Sequence, residues 1–532
     1  MNKNILVLVF AGIIFTSCTS ISKKDVSEQI LNPRLETATK NLAALMCENN
    51  LTAAYGRMDS TYKQFYTEQQ FIDLWKNATN CSDTCKTEKL FSPENYLNSY
   101  TDLIVVYELY DKKIYGKYTF SNNNPVPLPI NVTYGDYINI NQFDKTLPDY
   151  EKELKLVKKH ADSIYDLTEA LCTDSLKELC SDYFKIGCGL NGLTLPRSAI
   201  SHPQFMEVAG KHFSSVTLTN MMKPYSVLNQ TKSIKNYKNG IKAPGMDFSA
   251  IDSTLQWCMD NNIQMRGHTL VWHTQTPEWF FHKGYESTGE LVSRDEMIER
   301  LDSFTQQYFD YVQTNYPGVV YCWDVVNEAV DPSEGDTNSD FRCRIMNSNN
   351  KNLWYFTIGA DYPEVAFTIA RKYAAKGVSL FYNDYGTCDA LKRKYIYNLC
   401  KDLKDKGLID GIGMQGYWDF KNPSLNTIKD TINYYAELDL EIQLTEWTVS
   451  VKNETPDEFN QQAERYASVL RLLQQLDTQG GGNANITCVS FFGLMDGFPL
   501  NQNDTTTSRL FDKNLKPKPA FFSVQDTFKL FY

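Results

Sequence analysis

No basic cluster interrupts this chain. Its 53 Lys and Arg are outweighed by 64 Asp and Glu, for a formal net charge of −11 over 532 residues. Tracking a phosphate backbone requires clustered cations, so nucleic acid is excluded as a partner. Apolar runs long enough to span a bilayer are also missing: only Ile5 to Phe15, after Lys3, looks membrane-directed, and its length suits the core of an export signal. No cofactor-binding motif is present, and no His stands near Cys81-x3-Cys85 to complete a metal site. Neither cofactor nor metal is expected.

What the chain has in plenty is aromatic surface, with 33 Tyr, 29 Phe and 8 Trp. Aromatic faces suit the apolar C–H faces of sugar rings, although most such residues build cores. The apolar run ends in Phe15-Thr16-Ser17-Cys18, which resembles a bacterial lipoprotein box with Phe15 where Leu is usual. Residues 1–17 are read as a signal peptide and Cys18 as the lipidated N-terminus; ordinary cleavage near Ser17 is the alternative. Either route takes the protein to the cell envelope or beyond it, with membrane contact only through the anchor. Of 13 cysteines, 12 remain once Cys18 is set aside, and Cys81/Cys85 and Cys172/Cys180 are the local pairs expected as disulfides. Cys188, Cys322 and Cys488 lie in apolar runs and are read as buried thiols.

The length predicts a large domain with a smaller one. Residues 18–40 read as a polar tether. Residues 41–140 form a small α+β domain: Leu42, Leu45, Met46, then Phe65, Phe71, Leu74 and Trp75 at helical spacing, followed by β-rich runs at 103–107, 114–118 and 130–134. Residues 141–174 serve as a connection. From 175 to 532 strands alternate with helices, and eight apolar runs are present, starting at Ile186, Ser215, Met265, Cys322, Ser379, Gly411, Ile442 and Cys488. Eight is the number a closed parallel barrel needs, so the fold class is α/β, a (β/α)8 TIM barrel. Ser293-Arg294-Asp295-Glu296 and Thr455-Pro456-Asp457-Glu458 mark helix starts.

Barrel enzymes gather their functional groups where strands end. The fourth run ends in Trp323-Asp324-Val325-Val326-Asn327-Glu328-Ala329 and the seventh in Leu444-Thr445-Glu446. Two carboxyls facing each other across a barrel mouth are what glycosidic bond cleavage requires: one to protonate the leaving oxygen, one ionised on the other face of the ring.

Together with Arg266-Gly267-His268-Thr269-Leu270-Val271-Trp272-His273, Pro277-Glu278-Trp279, Phe381-Tyr382-Asn383-Asp384-Tyr385 and Ile409 to Gln415, these motifs resemble the endo-β-1,4-xylanases of glycoside hydrolase family 10 over roughly residues 175–530. The resemblance implies Glu328 as general acid/base and Glu446 as nucleophile, retention of configuration, carboxyls about 5–5.5 Å apart, and xylan as substrate. It places Asn327 on the sugar 2-OH, His268 and Trp272 around the cleaved ring, Asn220 and Lys223 on the next sugar toward the non-reducing end, and Gln415 and Tyr385 near the cut. Glu328 must hold a proton, and an ionised Glu446 is the expected cause of its raised pKa. His273 is read as structural. A monomer is expected.

The chain departs from the family pattern at four places: Thr219 for Glu, Tyr417 for His, Phe492 for Trp, and Phe498-Pro499-Leu500 lacking a second Trp. These thin the aromatic wall and leave both carboxyls in place. They keep open a β-1,4-glycanase of altered preference, or a surface glycan-binding protein on a degenerate barrel.

Overall fold

The computed structural model describes residues 33–59, 63, 67–79, 85–91, 100–109, 113–121, 129–136, 165–192, 198–347, 350–497 and 507–529. The export signal, Cys18, Cys81, Phe65 and Phe498-Pro499-Leu500 lie outside them. The chain divides into two compact units, residues 1–163 with 194–196, and residues 164–193 with 197–532.

In the first unit, helices α1 (Pro33–Cys47), α2 (Leu51–Gly56) and α3 (Glu68–Thr79) accompany an antiparallel sheet ordered β1 (Cys85–Phe91), β2 (Tyr100–Leu109), β3 (Lys113–Ser121), β4 (Pro129–Asp136). Leu42, Met46, Phe71 and Trp75 form the core with Val105, Tyr107 and Tyr118, while Leu74 stays exposed. Two expectations are corrected. The polar tether gives way to helix at Pro33, since Thr39 is already buried. Cys85 is bonded to Cys47, a residue 38 positions away, and so is not the partner of Cys81. Packing brings the end of α1 to the start of β1, a neighbourhood that local spacing does not encode.

The second unit is the barrel. Its strands are β5 (Lys185–Leu190), β6 (Ser215–Leu218), β7 (Gln264–Trp272), β8 (Val320–Asn327), β9 (Ser379–Asp384), β10 (Gly411–Met414), β11 (Glu441–Val449) and β12 (Asn485–Phe491). Each pairs in parallel with the next, and β12 closes on β5. All eight apolar runs are these strands.

Helices α4 (Pro203–His212), α5 (Asp252–Asp260), α6 (Arg294–Asn315), α7 (Tyr362–Tyr373), α8 (Ala390–Asp405), α9 (Leu425–Ala436), α10 (Pro456–Leu476) and α11 (Pro519–Lys529) run between or after them. Ser293 caps α6 by accepting from Glu296 N at 3.3 Å, and Thr455 caps α10 by accepting from Glu458 N at 3.2 Å. The reciprocal half of the Ser293 box is absent because Glu296 turns to Arg300, 2.5 Å away.

Part of the expected connection belongs to the barrel unit. Ser175 Oγ and Lys177 Nζ donate to the carbonyls of Lys211 and Gly210 at the end of α4, at 2.7 and 2.6 Å. Cys172 is exposed and Cys180 buried, both as free thiols, so the expected Cys172/Cys180 disulfide is absent. Cys188, Cys322 and Cys488 are buried free thiols, as read from the sequence.

Candidate active site

The polar interior of the barrel starts from Arg266 on β7. Gly267 beside it has no side chain because a Cβ there would meet the Trp323 ring at 2.3 Å. Arg266 Nη1 and Nη2 donate to Asp324 at 3.0 and 2.6 Å, and its Nε donates to Gln443 at 2.6 Å. The pair is fully buried, at 1% and 0% side-chain exposure. Burial alone would raise the Asp324 pKa, but the Arg266 charge and the His268 bond bring it below the usual carboxylate range. His268 Nδ1 lies 2.9 Å from Asp324 Oδ2, which orients the ring in the wall of the mouth.

At this mouth a cleft of about 230 Å³ contains both carboxyls. Glu328 follows β8 with φ at 58°, a left-handed conformation that costs a non-glycine residue energy. Its N–H donates to Asn383 O at 2.9 Å and its carbonyl accepts from Arg344 Nε at 2.9 Å, which hold it there. Trp272 Nε1 and Gln415 Nε2 donate to its two carboxyl oxygens, each at 2.9 Å. Trp272 was expected against sugar; here its indole N–H also anchors a carboxyl.

Burial is the largest cause of a raised Glu328 pKa, and the negative charge of Asp384 is next; the bonds from Gln415 and Trp272 oppose them, and Glu446 adds a smaller push. The expectation that Glu446 is the main cause is therefore corrected. Asp384 is itself buried and holds Lys392 Nζ at 2.7 Å.

Glu446, on β11, accepts from Asn383 Nδ2 at 3.0 Å and from the Tyr417 hydroxyl. Tyr417 is about half exposed as a residue while its hydroxyl turns inward to Glu446. Enclosure and the charge of Glu446 push its pKa well above the usual phenol value, so it remains a donor. Phe492 meets the Tyr417 ring edge-on at 5.5 Å and completes this wall.

Asn327 accepts from Asn383 at 2.9 Å and from Gln415 at 3.4 Å, and its Nδ2 has no acceptor among the described residues. On the far side stand Thr219, Asn220 and Lys223, with Lys223 Nζ donating to Gln275 Oε1 at 2.7 Å. Of the expected site residues, Tyr385 alone does not line this cleft. It is exposed, with Lys392 Nζ 3.3 Å from its ring centroid and its hydroxyl accepting from Arg344 at 3.0 Å. His273 is half-buried, and desolvation lowers its pKa to about 3.

Sequence reasoning passed over Asn383, Gln275 and Asp384. Asn383 and Asp384 sit at the end of β9 within a motif already singled out, and strand alternation could have found Asn383.

A closed barrel with two enclosed carboxyls at one mouth defines a glycosidase architecture. The glycosyl hydrolase family 10 profile matches residues 175–527, and the chain belongs to that family. A Caldicellulosiruptor saccharolyticus protein, provisionally named an endo-1,4-beta-xylanase, is 44% identical over 301 residues, 55% of this chain and 92% of its own length. Endo-1,4-beta-xylanase B of Butyrivibrio fibrisolvens is 36% identical over 66% of this chain, which spans 52% of that protein. Among solved structures, the carbohydrate-module and catalytic-module pair of a Clostridium thermocellum endo-1,4-beta-D-xylanase, complexed with xylohexaose, matches with a TM-score of 0.59. It is 32% identical, over 66% of this chain and 68% of that one.

Proposed function

We propose that this chain is a retaining endo-β-1,4-xylanase. The observation that carries the reading is the unequal treatment of two carboxyls in one cleft. Glu328 is half-buried, and its desolvation together with the charge of Asp384 favours its protonated form, whereas Glu446 accepts two hydrogen bonds that suit a carboxylate. Glu328 gives its proton to the leaving glycosidic oxygen as Glu446 attacks the anomeric carbon, forming a covalent glycosyl ester. Glu328, now ionised, takes a proton from water, which displaces Glu446 with a second inversion. Asn327 Nδ2 is free to bond the sugar 2-OH, and His268 borders the same ring. The relatives' names support xylan as the polymer.

The test is hydrolysis of xylan and of cello-oligosaccharides beside Glu446→Ala, with product length and anomeric form recorded. Short β-configured xylo-oligomers, reduced by several orders of magnitude in the variant, are expected. Xylan bound but uncut would favour a glycan-binding protein, and equal rates on both polymers a broader β-1,4-glycanase.

We also propose that the protein is exported and lipid-anchored at Cys18, and that it acts as a monomer. The Cys47–Cys85 disulfide supports export, because such bonds persist in oxidising compartments. Cys18→Ser should abolish labelling by radioactive palmitate and release the protein from the membrane fraction; undiminished labelling would refute the anchor.

A further inference from the structure

The backbone that carries Glu328 is held by a side chain 16 positions further along. Arg344 is 4% exposed, and every nitrogen of its guanidinium is engaged: Nε donates to Glu328 O at 2.9 Å, Nη1 to Asp331 Oδ2 at 3.2 Å, and Nη2 to Val330 O at 3.1 Å and to the Tyr385 hydroxyl at 3.0 Å. The main chains of the two segments are tied as well. Arg344 N donates to Ala329 O at 2.7 Å and Asp331 N to Arg342 O at 2.9 Å, while Asn352 Nδ2 fixes Arg344 O at 2.8 Å.

These bonds bear on chemistry because Glu328 has a φ of 58°. A non-glycine residue keeps such a conformation only where its surroundings over-determine it. Relaxation of this turn would re-aim the carboxyl away from its two donors, Trp272 Nε1 and Gln415 Nε2. The Arg344 charge is already met by Asp331, so what the residue brings to the acid is the planar fork that reaches several acceptors at once. Arg344 does not itself line the cleft.

We propose that Arg344 is a positioning residue for the reaction: its fork fixes the left-handed turn at Glu328 and so aims the carboxyl that first gives and later takes the proton. This rests on the reading of Glu328 as acid/base and Glu446 as nucleophile. Loss of the fork therefore impairs the steps that use Glu328 and spares the attack by Glu446.

Two aryl β-xylobiosides separate those steps. A dinitrophenolate leaves without a proton from Glu328, whereas a phenolate needs one. Arg344→Met should lower kcat/KM for the phenyl substrate by about a hundredfold and leave that for the dinitrophenyl substrate within about threefold of the unsubstituted protein. On the dinitrophenyl substrate kcat should fall, because water attacks the glycosyl ester without its base. Sodium azide should restore it: the anion displaces Glu446 with no proton to lose and yields β-xylobiosyl azide. Arg344→Lys keeps the charge and loses the fork; it should show the same pattern to a smaller degree, and it carries the test should the Met variant not fold.

Glu328→Ala is the reference. The pattern present there and absent from both Arg344 variants, through equal losses on the two substrates with no response to azide or through no loss at all, would overturn the proposal alone. Its absence from Glu328→Ala, or an unsubstituted protein that cuts neither xylobioside, would remove the acid/base reading and the proposal with it.

Discussion

Glu328 illustrates how a single residue acquires its chemistry from its neighbours. The carboxyl is enclosed, and the charge of Asp384 reinforces the preference for the neutral acid. A group whose pKa is raised keeps its proton to higher pH, so under the proposed mechanism the alkaline fall in kcat/KM follows ionisation of Glu328. Asp384→Asn removes the negative charge and leaves Lys392 as an unneutralised cation behind the acid; both changes favour the ionised form. The alkaline limb of the pH profile should therefore move to lower pH, with the acid limb less affected. A limb that stays in place in the variant would show that Asp384 does not tune the acid. The motif containing Glu328 was legible in the sequence, whereas the influence of Asp384 was not, because β8 and β9 are adjacent only in the folded sheet.

At the scale of elements, the barrel strands are tied together inside as well as along their edges. Arg266 on β7 bonds Asp324 on β8 and Gln443 on β11, and Gln443 Nε2 donates to Thr487 on β12 at 2.9 Å. The chain of bonds runs across the barrel interior and ends at His268 in the cleft wall. Arg266→Met would strand the Asp324 carboxylate without its cation, which typically costs about 3–5 kcal/mol. Urea denaturation should show a lower midpoint of that order, and an unchanged midpoint would mean that the ion pair contributes nothing net. The Asp324 pKa is depressed in the fold, so its contribution is present above the unfolded carboxylate pKa and is lost as pH falls through the folded value.

Over the whole molecule, the two units differ in their covalent support. The first holds the Cys47–Cys85 disulfide, whereas nine described cysteines of the barrel unit are free thiols, seven of them buried. A disulfide closing a loop of this order stabilises by about 2–4 kcal/mol. A mild reductant should therefore lower the melting transition of the first unit in calorimetry and leave the barrel transition in place. If both transitions shift together, the stability of the barrel depends on the first unit.

The sequence by itself determined where the strands and their helix caps fall, and which chemical groups stand at the strand ends. Glu328, Glu446, His268 and Gln415 could be named because alternation, capping and motif spacing are local properties. Tertiary structure alone decided that Cys85 pairs with Cys47, that the Tyr385 hydroxyl accepts from Arg344, and that Trp272 anchors a carboxyl. It also decided that Asn383 joins Asn327 to Glu446 and that Lys223 has no anionic partner among the described residues. These facts depend on which strands become neighbours and how deeply a charge is enclosed, and neither quantity exists until the barrel closes.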